Sequence, residues 1–170
     1  MTSQADVIRV QIKYKDVEKT FTGNIDEVWL SINKLFRDFI PTLEIANRLM
    51  LKVDLQKLTE DCAGIIAFSK EGPALLVPRS KLTDNEALGL WLLANYVGCQ
   101  LGILESDAVL KEELQMRLGK DAKITSTRLG ELLKNEICAK TTDEKYRITT
   151  FGIVQIQKET LPKIKAKVGI

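Results

Sequence analysis

The sequence contains no histidine. Histidine is the side chain that most often serves as a general base near neutral pH, and it is the commonest transition-metal ligand in proteins. Its absence excludes the histidine-containing nucleophilic triads and removes the usual ligand of zinc sites. Most familiar hydrolase mechanisms are therefore excluded.

Cysteine is scarce as well. The chain has three cysteines, which lie far apart in the sequence at Cys62, Cys99 and Cys138. An odd number at wide spacing fits neither a disulfide framework nor a paired-cysteine metal knuckle. We therefore expect a reducing compartment, with the thiols filling space in the core.

Motifs that carry catalysis or hold cofactors are also missing. The sequence has no glycine-rich phosphate loop, no serine–lysine pair in a recognisable motif and no carboxylate cluster at metal-ligand spacing. The acidic pair Glu60-Asp61 is typical of a solvated helix end, and Trp29 and Trp91 are expected to be core anchors. The sequence thus predicts a protein that is not an enzyme, with no catalytic residue, no metal site and no cofactor.

No targeting signal or clear membrane span is evident. Residues 1–16 alternate charged and apolar side chains and lack the continuous apolar core of a signal peptide, so we expect a cytoplasmic protein. The segment that most resembles a span is Ala87–Leu104, which contains Gly98-x-x-x-Gly102, a spacing that brings membrane helices close together. Its barely sufficient length and its internal Asn95 argue against insertion. We favour a helix packed on several sides at the centre of the fold, with no membrane contact.

Length and charge indicate two lobes with different partners. The 170 residues are 45% hydrophobic and 28% charged, which is typical of a globular chain with room for two small domains. Residues 111–170 carry 13 Lys and Arg against 8 Asp and Glu, a net charge of +5, whereas residues 1–110 have a net charge of −3. The basic C-terminal third favours a contact with phosphate.

Residues 1–80 are predicted to form a small α+β lobe, which serves interaction or dimerisation. Apolar residues alternate with polar ones from Val7 to Tyr14, the pattern of a half-buried strand, and a second strand follows a turn at Lys15-Asp16. Asn24 and Glu27 have the spacing of a capping box, and the apolar stripe of the helix that follows runs to Phe39.

The rest of this lobe is predicted to contain short elements. Pro41 is expected to interrupt the long helix, and residues 49–53 are a candidate strand. Asp54 is placed to cap a short helix that ends at Gly64, and a β-hairpin turns at residues 70–73.

Residues 81–170 are predicted to form a second lobe of three helices followed by a β-hairpin and a final helix. Thr83 and Glu86 form a capping box at the start of the apolar helix. The second and third helices are expected near residues 107–118 and 125–136, and the strands at 137–140 and 146–149.

This order is that of a winged helix-turn-helix, and one stretch resembles the family directly. Residues 124–152, ITSTRLGELLKNEICAKTTDEKYRITTFG, contain a Ser/Thr-rich turn, an Arg-Leu-x-x-Leu helix, an acidic wing tip and a Tyr-x-x-Thr-x-x-Gly segment. These features resemble the recognition helix and wing of small archaeal and bacterial winged-helix regulators, over residues 83–152 in all. The usual glycine after the recognition helix is replaced by Glu136-Ile137. The resemblance implies binding to double-stranded DNA and a role in transcriptional or chromosomal regulation.

Helical spacing predicts which side chains of the third helix face outward. With Leu129, Leu132 and Leu133 inward, the opposite face carries the candidate contacts with DNA bases and phosphates. These are Thr127, Arg128, Glu131, Lys134 and Asn135, together with backbone amides near Thr125 and Ser126. Glu131 repels phosphate, so it either reads a cytosine or indicates a merely solvated face.

The wing and the C-terminal segment complete the predicted interface. Lys140, Lys145 and Arg147 are candidate minor-groove contacts, although the acidic wing tip weakens that interpretation. The segment from Phe151 to Lys167 either forms a homodimer interface or packs back on its own chain, with Pro162 expected to bend it. The alternative function is a protein-interaction adaptor in which the N-terminal lobe and the winged helix bind an assembly partner.

Overall fold

The computed structural model describes residues 7–14, 17–49 and 51–170 of the chain. The protein is of mixed α+β type with small antiparallel sheets, and it divides into two compact units, Met1–Met50 and Leu51–Ile170. The division falls after residue 50 and not, as the sequence suggested, after residue 80. Residues 51–80 belong to the second unit because Leu58, Ile65 and Val77 are buried in its core.

The first unit begins with an antiparallel hairpin. Strands β1 (Ile8–Tyr14) and β2 (Val17–Gly23) pair from Ile8 opposite Gly23 to Tyr14 opposite Val17. Ile8, Val10 and Ile12 are half-buried while the residues between them are exposed, so the alternation in the sequence correctly predicted the strand. The turn predicted at Lys15-Asp16 lies outside the described residues.

Helix α1 (Ile25–Leu49) packs against this hairpin. The predicted capping box is confirmed: the Glu27 amide donates to Asn24 Oδ1 at 2.9 Å, and the Asn24 amide donates to Glu27 Oε2 at 3.2 Å. The predicted interruption at Pro41 is wrong, since the helix continues past it. Proline removes one helical hydrogen bond and disfavours the helix interior without forbidding it. The strand expected at residues 49–53 is absent from the described part of that range.

The expectation that Trp29 anchors a core is also wrong. Trp29 is 65% exposed, whereas its neighbour Val28 is only 2% exposed. Successive helix residues differ by about 100° in direction, so a hairpin that covers Val28 leaves Trp29 uncovered.

The second unit opens with the short helix and the hairpin that the sequence predicted, but the hairpin turn is shorter than residues 70–73 because the second strand already begins at Gly72. Helix α2 (Leu55–Cys62) is capped by Asp54, whose Oδ1 accepts from the Lys57 amide at 3.1 Å. Strands β3 (Ile66–Ser69) and β4 (Gly72–Leu75) form an antiparallel hairpin. A single 3-10 turn (Arg79–Lys81) leads into the next helix.

Helix α3 (Asp84–Gln100) is the centre of the second unit. Its capping box between Thr83 and Glu86 is confirmed, and its buried residues point in all directions. They contact α2, α4, α5 and strands on several sides, which agrees with the prediction of an apolar helix packed all round. Within the described ranges, no helix combines the length and the apolar character that crossing a membrane requires.

The glycine spacing in this segment serves packing within the chain. A Cβ at Gly98 would stand 2.8 Å from side-chain carbons of both Phe68 and Leu104, so only glycine fits there without movement of its neighbours. Gly102 has a φ of +70°, in the left-handed region that glycine favours.

Two further helices and a hairpin follow. They are α4 (Lys111–Leu118), α5 (Ala122–Lys134), β5 (Cys138–Lys140) and β6 (Tyr146–Ile148). Val109 forms an isolated antiparallel bridge with Tyr146, through two backbone hydrogen bonds of 2.8 Å each. The bridge places a third, one-residue strand beside β6 and joins the α3–α4 connection to the hairpin.

The C-terminal segment packs back on its own unit. It consists of α6 (Thr150–Gln155), a π-helical turn (Ile156–Thr160) and α7 (Leu161–Val168). Ile153, Leu161 and Ile164 are at most 1% exposed, and Lys167 Nζ pairs with Glu86 Oε1 at 2.9 Å. Pro162 was expected to bend this segment. The departure from regular α-helix lies just before it, in the π-helical turn. The sequence left open whether this segment forms a homodimer interface or packs on its own chain. In the structure it packs on its own chain.

Candidate nucleic-acid interface

Helix α5 begins three residues earlier than the sequence predicted. Gly119, with a φ of +68°, ends α4, and Asp121 caps α5 by accepting a 2.8 Å hydrogen bond from the Ile124 amide to its Oδ1. The Ser/Thr-rich stretch that looked like a turn is therefore helical. The two helices are separated by a connection of only three residues, which fixes the direction of α5 relative to α4.

The inward face of α5 contains Thr125, Leu129 and Leu132, which are 0%, 1% and 5% exposed. Thr125 donates from Oγ1 to the Asp121 carbonyl at 2.9 Å, and its amide donates to the same carbonyl at 3.0 Å. Both polar groups of Thr125 therefore already have a partner inside the helix, and its side chain lies in the core. The contact of nearby backbone amides with phosphate stays a prediction.

The outward face of α5 carries two lysines that form no ion pair within the described part of the chain. Its exposed residues are Lys123, Ser126, Thr127, Gly130 and Lys134. Neither lysine forms an ion pair with any residue that the structure describes. They lie eleven positions apart, so they occupy the same side of the helix about 16 Å from each other along its axis.

Two hydroxyl groups lie between these lysines. Ser126 Oγ donates to the Ala122 carbonyl at 2.6 Å, and Thr127 Oγ1 donates to the Lys123 carbonyl at 2.9 Å. Each hydroxyl oxygen keeps lone pairs that can accept a hydrogen bond from a base. The absence of a side chain at Gly130 leaves space beside them, with nothing within 4 Å of where its Cβ would be.

Arg128 and Glu131 belong to a different side of α5, where they join it to the start of α3. Glu131 Oε1 accepts from Arg128 Nη1 at 2.8 Å, and Glu131 Oε2 accepts from Asn85 Nδ2 at 2.7 Å. Arg128 Nε lies 3.7 Å from Asp84 Oδ2. Hydrogen bonds from Asn85 and then Arg128 hold the pKa of Glu131 below its usual range. The Glu131 carboxylate, which was expected to repel phosphate, is thus paired within the protein.

The end of α5 turns sharply into β5. Asn135 is exposed at the C-terminal cap, and Glu136 adopts a φ of +58°. The family resemblance led us to expect a glycine here, and Glu136 takes the left-handed conformation that glycine would supply. This conformation costs a non-glycine residue about 1 kcal/mol or more.

The hairpin presents a mixed set of charges. Lys140 Nζ pairs with Glu144 Oε1 at 2.8 Å, which raises the pKa of Lys140 and lowers that of Glu144. Arg147 is exposed on β6, Lys145 is half-buried, and neither side chain pairs with a carboxylate of the described residues. Of the three wing cations selected from the sequence, only Lys145 and Arg147 keep an uncompensated charge.

The sequence prediction missed Lys123 because it began the helix at Thr125. The available signal was Asp121, whose position three residues before Ile124 is that of a helix-capping side chain. A helix drawn from that cap places Lys123 on the same face as Lys134.

No family model, no curated protein and no solved structure matches this chain.

Proposed function

We propose that residues 83–152 form a winged helix-turn-helix that binds double-stranded DNA, and that the protein is a transcriptional or chromosomal regulator. Such a protein acts in the cytoplasm, where the chromosome of an archaeal or bacterial cell lies. The observation that carries the proposal is the outward face of α5. Lys123 and Lys134 lie at its two ends without an ion pair to any described residue, and neutral small residues lie between them.

The order of elements supports this proposal. Helix α3 is followed by the Val109 bridge, α4, α5, β5 and β6, and Val109 pairs with β6. Helix-turn-helix proteins place the second helix of the pair in the major groove, with the first helix across the backbone. Helix α5 fills the second position, and the groove, about 12 Å wide, admits a helix.

The charge distribution supports contact with phosphate groups. Lys123 and Lys134 are about 16 Å apart along α5, a separation that lets them reach phosphates on the two sides of a major groove. Between them, Ser126 and Thr127 accept hydrogen bonds from base edges. Arg147 and Lys145 on the hairpin contact the neighbouring backbone. Asn135 lies at the end of the same helix and remains a candidate for reading adenine.

Arg128 and Glu131 have a positioning role in this proposal. Their pairing with each other and with the first turn of α3 fixes the rotation of α5 around its axis. This assignment differs from the expectation that both residues meet DNA directly. It also removes the repulsion that a free carboxylate on the contact face would cause.

The test is fluorescence anisotropy with a labelled random-sequence duplex. The double variant Lys123→Ala/Lys134→Ala is expected to bind at least tenfold more weakly, because each phosphate contact contributes to affinity. The matched control is Lys158→Ala/Lys163→Ala, which removes two lysines that are also exposed, from the C-terminal segment, and should bind like the wild type. Equal binding by both double variants would contradict the proposed contact face.

An adaptor function is the alternative, and the exposed apolar residues of α1 favour it. Ile25, Trp29 and Leu30 are each at least 65% exposed, and such residues on a helix are typical of a protein-binding surface. A wild-type chain that fails to bind duplex DNA at low salt while remaining folded would favour this alternative.

A further inference from the structure

Helix α1 carries a stripe of apolar side chains that the first unit leaves uncovered. Ile25, Trp29 and Phe36 are 68%, 65% and 44% exposed, and Ile32 between them is half-buried. Together these four residues are called the α1 stripe. Large apolar side chains in this number on one side of a helix are unusual for a surface that faces only water.

The spacing of the stripe is that of a helix that pairs with another helix. Its members follow intervals of four, three and four residues, which is the a/d pattern of a two-helix seam. Val28 and Leu35, on the adjacent side of the helix, are buried and half-buried and account for the contact with the hairpin. The helix therefore has two apolar sides, of which the hairpin covers one.

The burial of side chains in the first unit is described for residues 7–13, 18–36 and 38. Among these, Val28 is the one apolar side chain that is almost fully buried. A two-stranded hairpin is marginally stable by itself, and units of this size usually need additional contacts such as oligomerisation. Covering the α1 stripe would supply those contacts.

We propose that the α1 stripe pairs with the α1 stripe of a second copy of this chain, forming a homodimer. A second copy offers a helix with the same four-three spacing, so the seam is self-complementary, as a two-fold dimer requires. The expected alternative surface on the C-terminal segment is not available, because Ile153, Leu161 and Ile164 are buried within their own unit.

The exposed apolar area of the α1 stripe indicates how tightly the dimer should associate. From their exposed fractions, Ile25, Trp29 and Phe36 of two chains together offer about 800 Å² of apolar surface. Specific interfaces bury at least about 1,200 Å², so the flanks of the helices must contribute the remainder. We therefore expect a dimer that dissociates on dilution. This inference is independent of DNA binding, since the dimer needs no nucleic acid.

The experiment measures mass and tryptophan exposure on the full-length chain. Light scattering after size exclusion gives the mass across a concentration series. In a Trp91→Phe variant, Trp29 is the remaining tryptophan, so its iodide quenching reports on the stripe directly. We expect a dimer at high concentration with Trp29 protected, and a monomer with Trp29 accessible after dilution.

A pair of substitutions tests the surface. Trp29→Lys is expected to raise the dissociation constant of the dimer by tenfold or more, since buried tryptophans contribute strongly to interfaces. Leu30→Lys is the matched control: Leu30 is 69% exposed but lies about 100° round the helix from Trp29, off the stripe. Leu30→Lys should leave the dissociation constant of the dimer unchanged.

Three results would overturn the proposal. The first is a monomeric mass at every concentration with Trp29 accessible, which leaves the stripe bare. The second is a monomer with Trp29 protected, which means that the same chain covers the stripe. The third is a dimer in which Trp29 stays accessible, which places the interface elsewhere. All three can be read on the Trp91→Phe chain, whose stripe is intact, so none depends on whether Trp29→Lys folds.

Discussion

Asn85 Nδ2 donates a 2.7 Å hydrogen bond to Glu131 Oε2, joining the first turn of α3 to the middle of α5 across 46 positions of sequence. Arg128 binds the same carboxylate at 2.8 Å. This pair of contacts turns Glu131 away from the outward face of α5. The face that we propose for DNA is consequently positive, although a carboxylate lies in the middle of the helix.

The hydrogen bonds to Glu131 predict a dependence of stability on pH. They lower the pKa of Glu131 in the folded chain below its ordinary value of 4.5. Their contribution to stability is therefore complete above that ordinary value and is lost as the pH falls through the folded value. Glu131→Gln should lower the melting temperature at pH 7, and the difference from the wild type should shrink below pH 4.5. Melting curves followed by circular dichroism check this.

Glu105→Gln provides the control for this prediction, since Glu105 is exposed and forms no ion pair with the described residues. Its melting temperature should follow that of the wild type at each pH. A difference between Glu131→Gln and the wild type that stays constant from pH 7 to pH 3 would contradict the role given to this carboxylate.

Two glycines should respond oppositely to the same substitution. Gly152 lies buried in α6, and a Cβ there would overlap the Ile137 carbonyl oxygen. Gly152→Ala should therefore destabilise the fold by about 3 kcal/mol. Gly130→Ala should stabilise it by about 0.5 to 1 kcal/mol, because alanine favours a helix and the site is open.

Urea unfolding of both variants measures these free energies. At Gly152 the first turn of α6 packs tightly against the backbone of Ile137, the residue before β5. This contact stabilises the hairpin against α6. An unfolding free energy for Gly152→Ala equal to that of the wild type would show that this contact is not tight.

The three cysteines should react with a thiol reagent at different rates. Burial raises the pKa of the Cys138 thiol to about 11, and burial, followed by the charge of Asp61, raises that of Cys62 to about 11. At pH 8 only about one in a thousand of such thiols is ionised. Cys99 is half-buried and should be the first to react with Ellman's reagent.

Cys99→Ser should remove the fast phase of this reaction, and unfolding in guanidinium should expose the two remaining thiols at once. A fast phase that survives in Cys99→Ser would mean that Cys62 or Cys138 is more accessible than the structure indicates.

The sequence predicted local features well. The caps at Asn24, Asp54 and Thr83 depend on side chains three residues from the amides they bind, and all three are present. The apolar helix α3 was predicted correctly because its composition leaves no polar side to face water.

Features that depend on distant contacts were not predictable in the same way. Periodicity placed Arg128 and Glu131 near the outward face, and only the position of α3 shows that they bind Asn85 and Asp84. Trp29 was misplaced because the hairpin covers one of two apolar sides of α1, and spacing alone does not say which side.

The most direct test of the central claim is the salt dependence of duplex binding by the wild type and by Lys123→Ala/Lys134→Ala. The logarithm of the binding constant should fall linearly with the logarithm of salt concentration, and the slope of the double variant should be smaller in magnitude by about two. Binding that is insensitive to salt, or identical slopes for the two proteins, would contradict a DNA interface on the outward face of α5.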